Sequence, residues 1–308
     1  MTARMKNGQR IAIAATVLVI ATGPSAGAAP TTATAFPPPE LLPEPAPPRP
    51  AAPTPPRATG AAGPLVGFTQ ELAGTTVSFE LAPVAGGRVE FEVDGTTHAV
   101  EVAPFYVATT ETTWDMYDIF VFNLDESADP GPDVDAVARP SRPYVSPDRG
   151  YGHAGYAAIS LSFRGADHFC QWLAAKTGRR YRLPTEAEWR HLCAQSGITP
   201  ETLDAHAWYE GNAEWTPHPV KQKKPDALGL YDLVGNVREW VRGVDGQPVA
   251  LGGAFRDAEV GCAARAVPTP EWQVTDPQIP KSIWWLSDAD FVGFRVVCVP
   301  DGQEGETP

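Results

Sequence analysis

Asp232 and Glu239 stand in the stretch GLYDLVGNVREWV, residues 229–241, and offer the most direct chemistry in the chain. Both side chains are hard oxygen donors, and the carbonyls of Gly235 and Val237 can join them if the backbone curls. Ca²⁺ accepts about six to eight such oxygens at flexible geometry. The spacing is shorter than a helix–loop–helix calcium loop, so a turn carrying a solvated Asp and Glu is the competing reading. Four cysteines follow a different logic: Cys170, Cys193, Cys262 and Cys298 form no CxxC pair. In an exported chain an even count points to two disulfides, and the residues alone leave three pairings open. The six histidines fall in no HExxH zinc motif and in no HxD or HxE pair that would seed a two-His-one-carboxylate iron site. There is no GxSxG elbow and no phosphate-binding loop of the Walker type. His168 and His191 lie on predicted helices and read as surface or satisfied core residues.

The elements that must position these residues are short. TVSFELAPV and RVEFEVDGTTHAVEVAPFYVATTETT alternate in the strand manner, with turns at Gly86-Gly87 and Asp94-Gly95. TTWDMYDIFVFN has helical spacing at Trp114, Tyr117, Ile119 and Phe120, and residues 125–158, rich in Pro, Asp, Gly and Tyr, read as a long loop. A second helix begins at the N-cap Ser162, with Phe163, Ala166, Phe169, Cys170, Leu173 and Ala174 on one face and Lys176 and Gly178 at its end. A third begins at Thr185, where Thr185 and Glu188 form a T-x-x-E capping box; Trp189, Leu192 and Cys193 make its apolar side. Beyond residue 200 the strands are short and the loops long. The fold class is α+β: two main helices, those from Ser162 and from Thr185, plus a small, irregular, mainly antiparallel sheet system.

The N-terminus carries Arg4, Lys6 and Arg10, an apolar run over 11–22 and Ala26-Gly27-Ala28, which together read as a secretory signal peptide over residues 1–28. An uncleaved membrane anchor is the alternative, and the only membrane attachment expected. Residues 29–64 are a Pro/Ala-rich spacer that cannot bury a core. The folded domain is expected over 65–300, with an acidic tail at 301–308. The expected location is the cell envelope: secreted or periplasmic. A net charge of −13 argues against nucleic acid and against an anionic membrane surface as partners.

Five motifs in order, YRLPTEAEW, GLYDLVGNVREW, LGGAF, CAAR and FVGFRVV, give residues 66–298 a resemblance to the formylglycine-generating enzymes, also called sulfatase-modifying factors. The resemblance implies an irregular, C-type-lectin-like α+β fold. It implies a structural calcium site at the Asp232 side chain, the Gly235 and Val237 carbonyls and the Glu239 side chain, with the cationic Arg238 beside the loop where Trp is common. It implies disulfides Cys170–Cys298 and Cys193–Cys262. Cys298 stands two residues beyond the family position, a shift that keeps the strand face.

The family's catalytic chemistry oxidises a substrate cysteine with oxygen at Cu(I) held by two cysteines five apart. Soft Cu(I) prefers thiolates. Here the matching interval reads GGAFRDAEVGCAAR: Arg256, Asp257, Ala258, Glu259 and Val260 fill a shortened segment with no cysteine before Cys262. Ala254 stands for the usual Ser and Leu251 for the usual Arg. Copper is therefore not expected and no catalytic residue is assigned. The expected role is an exported, calcium-stabilised module that binds a protein segment or glycan. A formylglycine-type oxidoreductase with a rearranged site and an inert envelope component are the alternatives. Candidate ligand contacts are Arg265, Trp272, Trp284, Trp285 and Asp290, weighed against core packing for the tryptophans and a carboxylate brace for Arg265.

Overall fold

The computed structural model describes residues 65–125, 134, 136–143 and 145–302; the expected signal peptide, spacer and most of the tail lie outside the described residues. Strands β1 (Phe68–Glu71), β2 (Ser78–Val84), β3 (Gly87–Val93), β4 (Thr96–Val102) and β5 (Phe105–Ala108) follow the alternation of the sequence. Asp94 and Gly95 both adopt positive φ and turn the chain between β3 and β4. Helices α1 (Trp114–Phe122), α2 (Phe163–Thr177) and α3 (Glu186–Gln195) come next, with β6 (Arg180–Arg182) between the last two. The short helix α4 (Leu203–His206) precedes a long irregular stretch. The chain then forms β7 (Arg238–Arg242), β8 (Pro248–Gly252), β9 (Gly261–Ala266), β10 (Val292–Gly293) and β11 (Val297–Val299). Among the described residues no helix is long and apolar enough to cross a membrane.

The helix caps are those the sequence encodes. Ser162 Oγ accepts from Gly165 N at 3.1 Å, and Gly178 closes α2 in the left-handed conformation. At α3, Thr185 Oγ1 accepts from Glu188 N at 3.2 Å while Glu188 Oε2 accepts from Thr185 N at 2.9 Å, so two orphan donors are satisfied reciprocally. Arg182 holds the same carboxylate through both terminal nitrogens. The apolar face predicted for α2 is buried at Ala166, Phe169, Cys170 and Leu173, and Trp172 is buried as well. Helix α3 is buried almost all round: Glu186, Glu188, Arg190 and His191 are enclosed along with Trp189.

One five-stranded sheet, ordered β1-β2-β5-β11-β6, separates two cores. Its pairs are antiparallel, with Val297 opposite Val107 and Arg182, and Cys298 opposite Tyr106 and Tyr181. Period-two alternation sends neighbouring residues to opposite cores. Phe79, Leu81 and Cys298 join α1 and α2 on one side; Val84, Val107 and Val297 join α3 and the β3–β4 hairpin on the other. Strand β7 divides in the same way, with Trp240 in the first core and Val241 in the second. It belongs to the four-stranded sheet β10-β7-β8-β9, in which β10 runs parallel to it.

Of the two implied disulfides, Cys193–Cys262 is formed, with Cα atoms 5.6 Å apart. The other is corrected: Cys170 and Cys298 are buried free thiols. Both sit in the first core, so Cys298 is on the right face of its strand. It is nevertheless two residues along β11, about 6.6 Å further on at the usual rise. That displacement is comparable to the largest Cα separation a disulfide usually spans, about 6.8 Å.

Candidate functional site

The expected metal loop leads into β7 through two left-handed residues, Asp232 (φ 54°) and Asn236 (φ 51°), and Gly235 (φ 81°). Only glycine fits at 235, because a Cβ there would lie 2.3 Å from the Trp208 carbonyl oxygen. The loop is held from inside by Glu111, whose carboxylate accepts from Asn236 Nδ2 at 2.7 Å and from Val237 N at 3.1 Å. Asn236 in turn accepts from His218 N at 2.9 Å through Oδ1.

Beneath it lies Arg295, fully buried. Its Nε and one terminal nitrogen donate to Glu239 Oε1 at 3.0 and 2.7 Å, and it also reaches the carbonyls of Ala108 and Tyr231. The second Glu239 oxygen accepts from Trp189 Nε1 at 2.9 Å. Burial lowers the affinity of Arg295 for its proton, but Glu239, Glu111 and Asp232 around it raise the pKa on balance. Burial, then Asp232 and Glu239, push Glu111 well above the usual carboxylate range. Burial likewise lifts Asp232 to about 6. Asp232 Oδ2 accepts from Lys221 N at 3.0 Å, while its Oδ1 is buried without a hydrogen-bond partner.

These residues fit a calcium ion in part. Three carboxylates surround one guanidinium, and Asp232 offers an open oxygen, which is where a cation would be drawn. Glu239 has no such freedom, being held by Arg295 and Trp189. Among the described residues no three His, Cys, Asp or Glu side chains converge as a metal site, so an ion here needs the backbone carbonyls of Gly235 and Val237. Arg238 does not face the loop with a free charge; it pairs with Asp257 at 2.8 Å.

The Asp232 shift gives a pH prediction. The proton is held more tightly in the folded state, so this group's stabilising contribution is complete below about pH 3.8 and is lost as pH rises through about 6. At pH 7.5 without calcium, Asp232→Asn is expected to stabilise the domain by about 2–3 kcal/mol. Any rise in melting temperature on adding calcium should be absent from the variant. Urea unfolding of both proteins between pH 4.5 and 7.5 checks the first effect; a wild-type-like pH profile in the variant would remove it.

The segment matching the family's copper loop is packed shut by charges. Gly253 (φ 79°) lies so close to Val260 that a Cβ there would meet the Val260 side chain at 2.6 Å. Asp257 Oδ2 accepts from Ala254 N at 2.7 Å. Arg256 pairs with Asp290 at 2.5 Å and lies over the Phe291 ring at 4.2 Å, and Tyr151 donates to the other Asp290 oxygen at 2.8 Å.

The other ligand candidates take separate places. Trp272 packs on Trp240 and Phe291. Arg265 on β9 donates to the buried Glu186 at 3.1 Å, which Arg190 also holds, so the brace is its visible use. Trp284 meets the edge of His168 and the guanidinium of Arg164. Trp285 walls two surface depressions. Sequence reasoning missed Glu111, Arg256 and Tyr151, which carry no local signal. Arg295 had one: a lone charge in the apolar run FVGFRVV demands a buried partner.

A curled, irregular α+β domain with a loop-rich second half and a β7 entry loop braced by Glu111 and Arg295 is a C-type-lectin-like architecture. The model of the sulfatase-modifying factor enzyme 1-like domain matches residues 73–299, and the chain belongs to that family. Three solved structures share the fold. Treponema denticola variable protein 1 has a TM-score of 0.56 at 19% identity, covering 77% of this chain and 100% of that one. PvdO from Pseudomonas aeruginosa has a TM-score of 0.53 at 20% identity, covering 78% and 100%. CarF has a TM-score of 0.50 at 20% identity, covering 72% and 99%. Among curated proteins, 95 residues are 30% identical to the serine/threonine-protein kinase pkn1 of Chlamydia pneumoniae, 29% of this chain and 14% of that protein. Another match, over 85 residues, is 36% identical to the chaperone protein LppX of Paenibacillus barcinonensis, 20% of this chain and 30% of that one. The chain thus spans under a third of either curated relative.

Proposed function

We propose that this domain is a non-oxidising member of its family: an exported module, secreted or periplasmic, that binds a protein segment or glycan and is stabilised by calcium. The carrying observation is the content of the former copper segment. Its positions hold Arg256 and Asp257, paired with Asp290 and Arg238, and guanidinium and carboxylate groups are poor ligands for Cu(I). The nearest cysteine, Cys262, is bonded to Cys193. The two free thiols, Cys170 and Cys298, are buried in the first core, and burial raises both pKa values, Cys298 to about 11. Neither offers an accessible thiolate to a metal or substrate. Calcium is proposed at Asp232 with the Gly235 and Val237 carbonyls, Glu239 adding negative charge from its place against Arg295. The ion would neutralise the carboxylate excess and tie the β7 entry loop.

The test is to incubate the oxidised protein with copper, oxygen and a cysteine-containing sulfatase peptide, and to follow the peptide mass. The expected result is unconverted peptide. Formylglycine in the product would replace this reading with the oxidoreductase alternative.

A further inference from the structure

We propose that His153 is a pH-set clasp: as an imidazolium it ties helix α1 to the 146–150 turn, and on losing its proton it lets that turn go. The inference concerns conformation and holds whether the domain binds a protein segment, a glycan or neither.

Both ring nitrogens of His153 face carboxylates, and these sit on different elements. Nε2 lies 2.7 Å from Asp118 Oδ2 on α1, and Nδ1 lies 3.0 Å from Asp148 Oδ2 in the turn. A neutral imidazole carries one N–H and can donate to only one of them; the imidazolium donates to both. The ring face adds to this preference. It stacks on the buried Trp114 indole, with centroids 5.0 Å apart and planes 13° from parallel, and an indole face attracts a cation. The His153 side chain is 44% exposed, so its proton exchanges directly with solvent. The charges packed around it are mainly acidic. Helix α1 brings Asp115 as well as Asp118, and Asp115 Oδ2 accepts from Gly155 N at 2.7 Å. Two cations on neighbouring segments are engaged elsewhere. Arg142 lies over the Phe122 ring, and Arg149 donates to the carbonyls of Leu286 and Ser287 and to Ser160 Oγ. Burial weakens the hold of His153 on its proton, but the hydrogen bonds and charges of Asp118 and Asp148 outweigh it and raise the pKa.

The two carboxylates differ, and the difference says which contact opens. Asp148 Oδ1 already accepts from Ser146 Oγ at 2.6 Å and from Gly150 N at 3.0 Å. Burial raises the Asp148 pKa, but Ser146, Gly150 and His153 together bring it below the usual carboxylate value. Among the described residues Asp118 has no hydrogen-bond partner but His153, and burial raises its pKa. Asp118 is therefore the stronger base, and a neutral imidazole keeps its remaining proton on Nε2. Bare Nδ1 then meets the Asp148 carboxylate, lone pair against negative charge, and the near side of the turn is released from α1. The far side stays anchored, because Ser160 Oγ donates to Pro147 O at 2.8 Å and Arg149 keeps its carbonyl partners. The clasp thus sets the width of the depression of about 260 Å³ that Asp118 and Phe122 line on one side and Ser146 and Pro147 on the other. The sign follows from linkage. A histidine whose folded pKa is raised stabilises fully below its unfolded value, and that contribution is lost as pH rises through the folded one. The clasp is shut in acid and open in alkali.

The experiment is a titration of the purified oxidised protein from about pH 5 to 9, the range in which histidine charge changes, followed by imidazole ¹⁵N shifts and nuclear Overhauser contacts. His153→Gln assigns the ring signals by their loss. The expected midpoint lies above that of the same histidine in a peptide of residues 148–158, and the alkaline form carries its proton on Nε2. Contacts from the ring to the Asp148 side chain should be present in acid and lost in alkali, while those to Trp114 persist. Asp148→Asn tests the mechanism without shortening the side chain. Its amide can accept from the imidazolium or, turned over, donate to bare Nδ1. The midpoint should therefore fall toward that of the peptide, and contacts from the ring to residue 148 should survive at both ends of the range. A midpoint at or below the peptide's, an alkaline proton on Nδ1, ring-to-Asp148 contacts that outlast the titration, or an Asp148→Asn profile like that of the native protein would each overturn the proposal.

Discussion

Replacing Arg295 by methionine is expected to cost about 3–5 kcal/mol, the usual penalty for leaving a buried ion-pair partner uncompensated. The side chain is similar in length, so little packing is lost and the effect is electrostatic. Three carboxylates, Glu111, Asp232 and Glu239, would remain around an apolar group, and the carbonyls of Ala108 and Tyr231 would each lose a donor. Removing one of those negative charges should relieve part of the loss. Adding Glu239→Gln to Arg295→Met should recover a share of it, the signature of coupled residues in a mutant cycle. Urea midpoints of the four proteins measure this. A loss below about 1 kcal/mol in the single variant, the size of a surface pair, would contradict the buried cluster.

Removing the Cys193–Cys262 bridge should be nearly as damaging. It closes a loop with a sequence separation of 69, for which the chain-entropy model gives about 4 kcal/mol. It also ties α3 to β9, next to the Glu186 that Arg190 and Arg265 share. The Cys193→Ser, Cys262→Ser double variant is expected to melt about 8–16 °C lower, at about 2–4 °C per kcal/mol for a domain of this size. The native protein should show no reactive thiol, and unfolding without reductant should reveal two, Cys170 and Cys298. No thiol on unfolding would mean that those two are bridged after all.

The fold was legible where local rules govern. Alternation in 78–108, the Ser162 cap and the Thr185–Glu188 box are each decided by residues within a few positions, and the structure keeps them. The disulfide Cys193–Cys262 was legible through the family resemblance, while Cys170 and Cys298 were not, because a resemblance carries strand face more faithfully than distance along the strand. Long-range pairing was hidden. Nothing near Glu111 in ATTETTW announces that it will cradle residues 236 and 237, and nothing near Arg256 announces Asp290. In the expected metal loop the sequence shows donors but not their other obligations; Glu239 reads as a free carboxylate until Arg295 and Trp189 are brought to it.

The position of β11 has a consequence for how the molecule is made. This strand, Val297–Val299, lies between β5 and β6 in the five-stranded sheet. Its partners Tyr106 and Val107 are synthesised far earlier. Until the last stretch of the domain is available, β5 and β6 have an open seam between them, and Arg295 cannot yet reach Glu239. Hairpins such as β3–β4 can zip locally, but closing the seam waits on one of the longest loop closures in the chain, a topology that folds slowly. A nascent chain lacking its final dozen or so domain residues should therefore stay open and sticky along that seam, a state suited to capture by a holding chaperone.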